Sequence, residues 1–306
     1  MPLAPLDDVS SGPHTPAEWI RWGAERFERA GLHFGHGSDN ALDEAAALVL
    51  FALELPPDAP PADLAHALDA DAQRRVAALL ERRIRERTPA AYLTGEAWFA
   101  GLRFVVDPRV LVPRSPIAEL IERGYAPWVE PDQVRRLLDL CTGSGCIAIA
   151  SALALPDAEV HATDVSADAL AVAAVNRAHH GLEARLQLHH GDLWADAPGR
   201  FDLIVANPPY VDADEMSALP PEHRHEPVLG LAAGVDGLDL ALRILREAPA
   251  HLAEAGALFC EVGASQAALE ARCPRVPFTW LEFERGGDGV FHLTRDDLVA
   301  HAAAFA

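Results

Sequence analysis

Two short motifs in the second half of the chain combine residue types and spacings that suit ligand binding. The first is Asp139-Leu140-Cys141-Thr142-Gly143-Ser144-Gly145, which lies between a buried apolar run and a helical segment. Gly143 and Gly145 allow the backbone to turn tightly and to approach a ligand closely. The spacing Gly143-x-Gly145-x-x-Ala148 also satisfies a pattern of dinucleotide-binding proteins. The motif therefore predicts a cofactor site at the end of a strand.

An acidic residue, Asp164, ends the next predicted strand about 20 residues further along the chain. A carboxylate in this position can accept hydrogen bonds from both hydroxyls of a ribose. Nicotinamide dinucleotides and S-adenosylmethionine both contain that sugar. The Gly-rich motif and Asp164 therefore leave a dehydrogenase and a methyltransferase open.

The second motif, Asn207-Pro208-Pro209-Tyr210, separates these two possibilities and directly follows an apolar run. The two prolines have a fixed φ and no N–H, so the segment is stiff and projects carbonyl oxygens. The Asn207 side-chain oxygen and the Pro208 carbonyl can accept both hydrogens of a planar NH2 group, and Tyr210 offers a flat face for it. The motif predicts a site for an amide or an exocyclic amine. A Pro-Pro turn without function is the simpler alternative.

Strand-like and helical segments alternate from residue 134 onward, and this alternation must position both motifs. The predicted strands are Arg136–Leu140, Glu159–Asp164, 185–189, Phe201–Ala206 and 256–262, followed by 279–284 and Val290–Thr294 as a closing antiparallel pair. Helices are predicted to end at Leu155 and to cover 166–180 and 238–252. The order is typical of an α/β Rossmann-like fold, a mostly parallel sheet with helices on both faces. Ligands of such folds bind at the carboxyl ends of the strands, where both motifs lie.

The preceding part of the chain has different patterns. Residues 1–91 are predicted to form a helical domain, either a plain helical bundle or a substrate-recognition module. Its first helix has Thr15 as cap, Pro16 at the first position and Glu18 at the third, and further helices are predicted over 39–55 and 71–87. Residues 92–113 are predicted to form a β-hairpin linker that includes a strand at 110–112. The catalytic domain then covers residues 114–306.

Composition excludes several classes of protein. All 25 basic residues are Arg, and the absence of Lys excludes P-loop NTPases and enzymes that form Schiff bases through Lys. The net charge of −21 argues against a protein that coats nucleic acid and fits a cationic ligand or a basic partner. The four Cys include no C-x2-C pair, so no disulfide framework and no metal site are predicted. Because neither a secretory signal nor a membrane-spanning segment is evident, a cytoplasmic location is expected.

The motifs and the domain order resemble those of the HemK-type protein glutamine-N5 methyltransferases. Asp139-x-Cys-Thr-Gly-Ser-Gly and Asn207-Pro-Pro-Tyr are similar to motifs of S-adenosylmethionine-dependent enzymes that methylate nitrogens of planar groups. The Asn-Pro-Pro-Tyr motif occurs in DNA adenine-N6 methyltransferases and in the HemK-type family. Members of the latter have a helical N-terminal domain, a hairpin linker and a Rossmann-like catalytic domain. The resemblance covers nearly the whole chain and implies methylation of a glutamine side-chain amide.

Several details are similar to the PrmB branch of this family, which methylates large-subunit ribosomal protein L-three. Val112-Pro-Arg-Ser-Pro stands where the release-factor branch usually has Val-Pro-Arg-Pro-Glu, and Cys141 stands where that branch usually has Gly. The segments 224–239 and 284–291 also resemble the PrmB branch. The resemblance implies a basic ribosomal-protein partner, no direct DNA binding and no membrane partner.

The resemblance, together with the chemistry of the motifs, implies a role for each site residue. The residues predicted to bind S-adenosylmethionine are Asp139, Cys141, Thr142, Gly143, Ser144, Gly145, Asp164, Asp192, Leu193, Trp194 and Asn207. Asp139 is expected to meet the α-ammonium group and Asp164 the ribose hydroxyls. Asp192 is expected near the adenine amino group, with Leu193 or Trp194 beside the ring.

Catalysis is assigned to Asn207, Pro208 and Tyr210, and these residues together with Pro209 are predicted to bind the target amide. Two accepted N–H bonds increase electron density on the amide nitrogen and aim it at the methyl group. Alignment of this kind supplies about 7–11 kcal/mol to a bimolecular step. No general base is assigned, and Glu226 is a candidate secondary acceptor.

Other functions remain open on the sequence alone. Within the family, the alternative is methylation of peptide chain release factors. An adenine-N6 nucleic-acid methyltransferase would require a basic groove, and no basic cluster is visible in the catalytic half. A dehydrogenase would leave Asn207-Pro-Pro-Tyr unexplained, and a ribosome-associated binding protein without catalysis would not need both motifs intact.

Overall fold

The computed structural model describes residues 12–194 and 197–306, and the chain divides into two compact units, residues 1–95 and 96–306. Residues 1–11, which the sequence places at the start of the predicted helical domain, lie outside the described residues. Within the described ranges, every helix is too short or too polar to cross a bilayer.

The described part of the N-terminal unit, residues 12–95, is helical, as predicted. Its helices are α1 (Pro16–Arg29), α2 (Ala41–Ala52), α3 (Ala70–Glu86) and the short α4 (Ala90–Thr94), which the sequence patterns did not indicate. The predicted cap of α1 is confirmed, because the Thr15 side chain accepts from the Glu18 N–H and the Glu18 carboxylate accepts from the Thr15 N–H. Helix α2 ends earlier than predicted, since Glu54 adopts a left-handed φ of 57° before the Pro-Pro pair.

Helices α1, α2 and α3 enclose an apolar core that includes Trp19, Phe27, Leu48 and Leu80. A fully buried ion pair joins α2 and α3, with Arg83 Nε donating to Glu44 Oε1 at 2.5 Å. Arg83 Nη2 also donates to the His33 carbonyl at 2.9 Å. The guanidinium therefore ties two helices and a loop together inside the unit.

The C-terminal unit, residues 96–306, begins with the predicted hairpin. Strands β1 (Glu96–Phe99) and β2 (Leu102–Val105) pair antiparallel, and helix α5 (Ile117–Glu122) follows. The predicted strand at 110–112 is wrong, because this segment has no strand partner. Val110 and Val112 are buried, which explains their apolar pattern, but the Val112 N–H donates to the Glu226 carboxylate at 3.1 Å instead of to a strand.

The rest of this unit is the predicted Rossmann-like α/β fold. The elements are β3 (Arg136–Leu140), α6 (Cys146–Ala154), β4 (Glu159–Asp164), α7 (Ala167–His179), β5 (Leu186–His190), β6 (Phe201–Ala206), α8 (Ala213–Ala218), α9 (Asp239–His251), β7 (Leu252–Glu261), α10 (Gln266–Arg272), β8 (Thr279–Trp280), β9 (Val290–Thr294) and α11 (Arg295–Ala300). The seven strands have the order β5-β4-β3-β6-β7-β9-β8. Strands β3 to β7 run parallel, and β9 is antiparallel to both β7 and β8.

The sheet order brings the two sequence motifs together. Strands β3 and β6 are neighbours, with Leu140 paired to Ala206 at their carboxyl ends. On the outer sides, Leu140 pairs with Thr163 of β4 and Ala206 with Cys260 of β7. The segments that follow β3, β4, β6 and β7 therefore emerge side by side at one edge of the sheet.

The buried ion pair gives a test of the N-terminal unit. We expect Glu44→Ala to reduce the free energy of unfolding of this unit by about 3–5 kcal/mol, because Arg83 would keep a buried charge without its carboxylate. Hydrogen–deuterium exchange of the α2 and α3 amides in the full-length chain measures the loss. The control is Glu25→Ala, which removes an exposed pair with Arg29 and should leave exchange unchanged. Equal protection of α2 and α3 in both variants would show that the buried pair does not stabilise the unit.

Candidate active site

A cavity lies at the carboxyl ends of β3, β4 and β6, where the sequence places the cofactor and amide sites. Its lining consists of residues 111–115, 141–144, 146–147, 163–166, 169, 192–193, 207, 209, 227, 229–230 and 240. Most of the predicted site residues contribute to this lining: Cys141, Thr142, Gly143, Ser144, Asp164, Asp192, Leu193, Asn207 and Pro209. The remaining predicted residues, Asp139, Gly145, Trp194, Pro208 and Tyr210, are not part of it.

Gly143 and Gly145 in the loop after β3 are surrounded differently. Gly143 and Gly145 both adopt a left-handed backbone, with φ of 55° and 81°. A Cβ at Gly143 would meet nothing within 4 Å, so the backbone there faces open space that a ligand can fill. A Cβ at Gly145 would lie 3.2 Å from the Cβ of Ala173, so this glycine allows α6 to approach α7. Only Gly143 is therefore part of the cavity surface.

Cys141 occupies a backbone position that ordinarily suits glycine. Its φ of 59° is left-handed, which costs a non-glycine residue about 1–2 kcal/mol. The side chain is half-buried and packs against the core of the sheet, next to Cys260. Burial raises the pKa of the Cys141 thiol and favours its neutral form.

Asp139 lies beneath the loop and not in the cavity, in contrast to the prediction that it meets the cofactor's ammonium group. It is fully buried, and its Oδ2 accepts from Thr142 Oγ1 at 2.5 Å and from the Ala148 N–H at 3.2 Å. The period of the strand places this side chain under the start of α6. Burial raises the pKa of Asp139 to about 7. Through its hydrogen bonds to Thr142 and Ala148, Asp139 holds the loop from below.

Asp164 joins the loops after β3 and β4 and lines the cavity. One carboxylate oxygen accepts from the Gly143 N–H at 2.8 Å, and the other accepts from the Ser166 N–H at 2.8 Å. Burial raises the pKa of Asp164, while these two backbone donors lower it. Each oxygen retains a lone pair that can accept a hydroxyl hydrogen from a ligand.

The segment after β5 contributes two of its three predicted residues. Asp192 lines the cavity and pairs with Arg243 at 2.6 Å, and Leu193 lines it in a left-handed conformation with φ of 47°. Of the two residues expected beside the adenine ring, Leu193 lines the cavity and Trp194 does not, because the Trp194 indole stacks on His251 with ring centroids 4.3 Å apart. Its ring N–H donates to Glu247 at 2.5 Å. Because the ring is buried between these contacts with His251 and Glu247, Trp194 belongs to the apolar core and not to the cavity.

The segment after β6 places Asn207 and Pro209 at the cavity and Pro208 in a buried position. Tyr210 does not line the cavity, contrary to the prediction that it packs on the target amide. Its ring lies over Gly263, where a Cβ would come within 2.6 Å of it, and its hydroxyl donates to Glu261 Oε1 at 3.0 Å. The side chain of Tyr210 thus anchors the loop that presents Asn207.

Two buried carboxylates hold the segment 112–116 against the neighbouring loops. Glu226, predicted as a secondary acceptor, instead receives two hydrogen bonds from Arg114, at 2.6 and 2.7 Å. Glu261, which the sequence patterns missed, accepts from Ser115 Oγ at 2.5 Å. A signal for Glu261 existed, because it is the acidic residue that ends an apolar strand beside the strand that leads to Asn207.

The cavity residues fit S-adenosylmethionine. The open space at Gly143 can admit the amino-acid part of the cofactor, and Asp164 has free lone pairs for two ribose hydroxyls. Asp164, which has no basic side chain among its hydrogen-bond donors in the described part of the chain, also gives this end of the cavity an acidic group, which suits a sulfonium cation.

Similarity to known proteins covers both units. A family model described as Methyltransferase small domain matches residues 126–219, and one described as PrmC N-terminal domain matches residues 18–95. Ribosomal protein uL3 glutamine methyltransferase of Xanthomonas campestris pv. campestris is 55% identical over 292 residues, which cover 95% of this chain and 94% of that protein. The protein of the same name from Bordetella pertussis is 51% identical over 286 residues, which cover 93% and 96%.

These matches confirm the resemblance that the two motifs carry, and they exclude the dehydrogenase alternative. The match to the PrmC N-terminal domain further agrees with the helical fold of the N-terminal unit. The chain therefore belongs to the family of ribosomal protein uL3 glutamine methyltransferases.

Proposed function

We propose that the chain transfers a methyl group from S-adenosylmethionine to the side-chain amide nitrogen of a glutamine in ribosomal protein uL3, the large-subunit protein L-three. The observation that carries the proposal is that Asn207 and Gly143 line one cavity, on loops that follow neighbouring strands. An amide-binding group and a cofactor loop are thereby adjacent. Relatives that are more than half identical over nearly the whole chain carry this activity in their names, which supports the choice of uL3.

The cofactor end of the cavity serves to bind and orient S-adenosylmethionine. S-adenosylmethionine supplies a methyl group attached to a sulfonium sulfur, which is a good leaving group. Asp164 would hold the ribose hydroxyls of the bound cofactor, while its hydrogen bonds to Gly143 and Ser166 keep both loops in place. Asp192 would hold the adenine amino group and is itself paired with Arg243.

The amide end activates the nucleophile by accepting hydrogen bonds. Amide nitrogen is a weak nucleophile because its lone pair is delocalised into the carbonyl. The side-chain oxygen of Asn207, a residue that lines the cavity, accepts one N–H group. We assign the other to the carbonyl of Pro208, the next residue of the same loop, although the Pro208 side chain is buried outside the lining. The two hydrogen bonds increase electron density on nitrogen and fix its direction of attack. As the N–C bond forms, the bond between the methyl carbon and sulfur breaks, and sulfur leaves with the electron pair as the neutral thioether of S-adenosylhomocysteine. The nitrogen becomes acidic and releases its proton to water. This end of the site therefore acts by alignment and requires no general base.

Charge supports a basic protein substrate. Residues 96–306 contain 16 Arg and 31 acidic residues, so the unit that contains the cavity is strongly acidic. An acidic enzyme surface accelerates the encounter with a basic partner and disfavours nucleic acid. The four cysteines are all free, which supports the cytoplasmic location that we include in the proposal.

Isotope transfer tests the proposed function. Incubation with S-adenosylmethionine labelled in the methyl group, purified uL3 and purified release factor, followed by peptide mass mapping, should place the label on one glutamine of uL3. Labelled release factor with unlabelled uL3 would reject the substrate. A parallel incubation with DNA and ribosomal RNA tests the reaction, which label on either nucleic acid would reject.

Asn207→Ala tests the role of the amide acceptor. We expect kcat to fall by about 100- to 1,000-fold, as for loss of one preorganised group at a reacting centre, while the affinity for S-adenosylmethionine is retained. Calorimetric titration of the cofactor and a methyl-transfer assay measure the two quantities separately. A variant with full rate, or one that no longer binds cofactor, would contradict this role.

Asp164→Asn tests the cofactor end. We expect the affinity for S-adenosylmethionine to fall by about 10- to 100-fold, because charged hydrogen bonds to the ribose are replaced by neutral ones. The matched control is Asp202→Asn. Asp202 also accepts from two backbone N–H groups, of Arg135 and Arg136, but it lies near the amino end of β6, at the opposite edge of the sheet. Equal loss of affinity in both variants would mean that Asp164 acts only on the fold.

A further inference from the structure

The carboxylate of Glu261 connects two segments that reach the cavity. Glu261 ends β7, next to the strand that leads to Asn207, and only 3% of it is exposed. Its Oε1 accepts from the Tyr210 hydroxyl at 3.0 Å, and its Oε2 accepts from Ser115 Oγ at 2.5 Å. Both carboxylate oxygens are therefore hydrogen-bonded to hydroxyl groups from different loops.

Both residues that donate to Glu261 have further contacts. Ser115 Oγ accepts from the Ile117 N–H at 3.2 Å, which leaves its own hydrogen for Glu261. The Tyr210 carbonyl accepts from Ser265 Oγ at 3.0 Å, and the Tyr210 ring lies against Gly263. Tyr210 is thus held at its backbone, at its ring and at its hydroxyl.

These contacts bear on the reaction through the loop geometry. Ser115 lines the cavity directly, and Tyr210 closes the stiff loop that begins with Asn207. Since the two prolines between Asn207 and Tyr210 remove most of the backbone freedom, the position of Tyr210 sets the position of Asn207. A shift of the acceptor by about 1 Å can lower the rate by about 100-fold.

We propose that Glu261 is a positioning residue for methyl transfer, which as a carboxylate holds Tyr210 and Ser115 and thereby aligns Asn207 with the target amide. The inference rests on the proposed function and extends it to a residue outside both sequence motifs. Protonated Glu261 carries a hydrogen of its own, so it can no longer accept from both hydroxyls without rearrangement. The alignment therefore depends on the ionised form.

Charged and titratable groups around Glu261 set the pH at which this form is reached. Burial raises the pKa of Glu261 to about 7, Asp288 raises it further, and the hydroxyls of Ser115 and Tyr210 and the charge of Arg114 lower it. Below this pKa the carboxyl is protonated and the loop is held less firmly. We therefore expect kcat of the wild type to rise with pH through about 7.

The test compares kcat and KM between about pH 6 and 9 for the wild type, Glu261→Gln, Tyr210→Phe and the double variant, with S-adenosylmethionine and uL3. We expect Glu261→Gln to lower kcat at high pH by about 100-fold, to remove the rise near neutral pH and to leave KM for the cofactor unchanged. Because both residues act through one hydrogen bond, the double variant should be no slower than the slower single variant. Glu119→Gln is the control, since this carboxylate is also buried but accepts from the N–H groups of Glu284 and Arg285.

Each outcome decides the inference. Wild-type kcat and pH profile in Glu261→Gln, or losses that multiply in the double variant, would overturn it. If Glu119→Gln lowers kcat as much as Glu261→Gln does, Glu261 only stabilises the fold and is not a positioning residue. If the wild type methylates uL3 and Glu261→Gln has the same kcat and pH profile, only the inference about Glu261 fails. If the wild type leaves uL3 unmodified, the proposed function fails as well.

Discussion

The backbone pairing of β3 with β6 is the constraint on which the site depends. This parallel register sets Leu140 beside Ala206, so the loops that begin at Cys141 and Asn207 leave the sheet as neighbours. Cofactor binding and amide binding are separate chemical tasks, and each motif is suited to one of them. Their adjacency comes from strand order, because the two motifs lie far apart along the chain.

Buried and half-buried carboxylates then fix the loops that the sheet brings together. Asp139 holds the Gly-rich loop from below, and Asp164 ties it to the loop after β4. Glu226 and Glu261 attach the segment 112–116 to the loops beyond β6 and β7. An acidic interior of this kind preorganises backbone N–H and hydroxyl groups, and it is consistent with an acidic unit whose ligand is a cation.

The sequence predicted those parts of the structure that local patterns determine. Apolar runs identified β3, β4 and β6 with the bounds that the structure has, and the Thr15 cap identified the start of α1. Buried residues without regular pairing were misread, as at Val110 and Val112. The directions of side chains could not be predicted from local sequence patterns, because they depend on residues distant in the chain. Tyr210 points towards Glu261 and Trp194 towards His251 for this reason.

The alignment of the two motifs is tested most directly by a crystal structure of the chain with S-adenosylhomocysteine and a uL3 peptide that contains the modified glutamine. We expect the amide nitrogen about 2.7–3.2 Å from the Asn207 side-chain oxygen and the ribose hydroxyls at the same distance from Asp164. An amide bound away from Asn207, or a cofactor bound away from the loop at Gly143, would contradict this alignment.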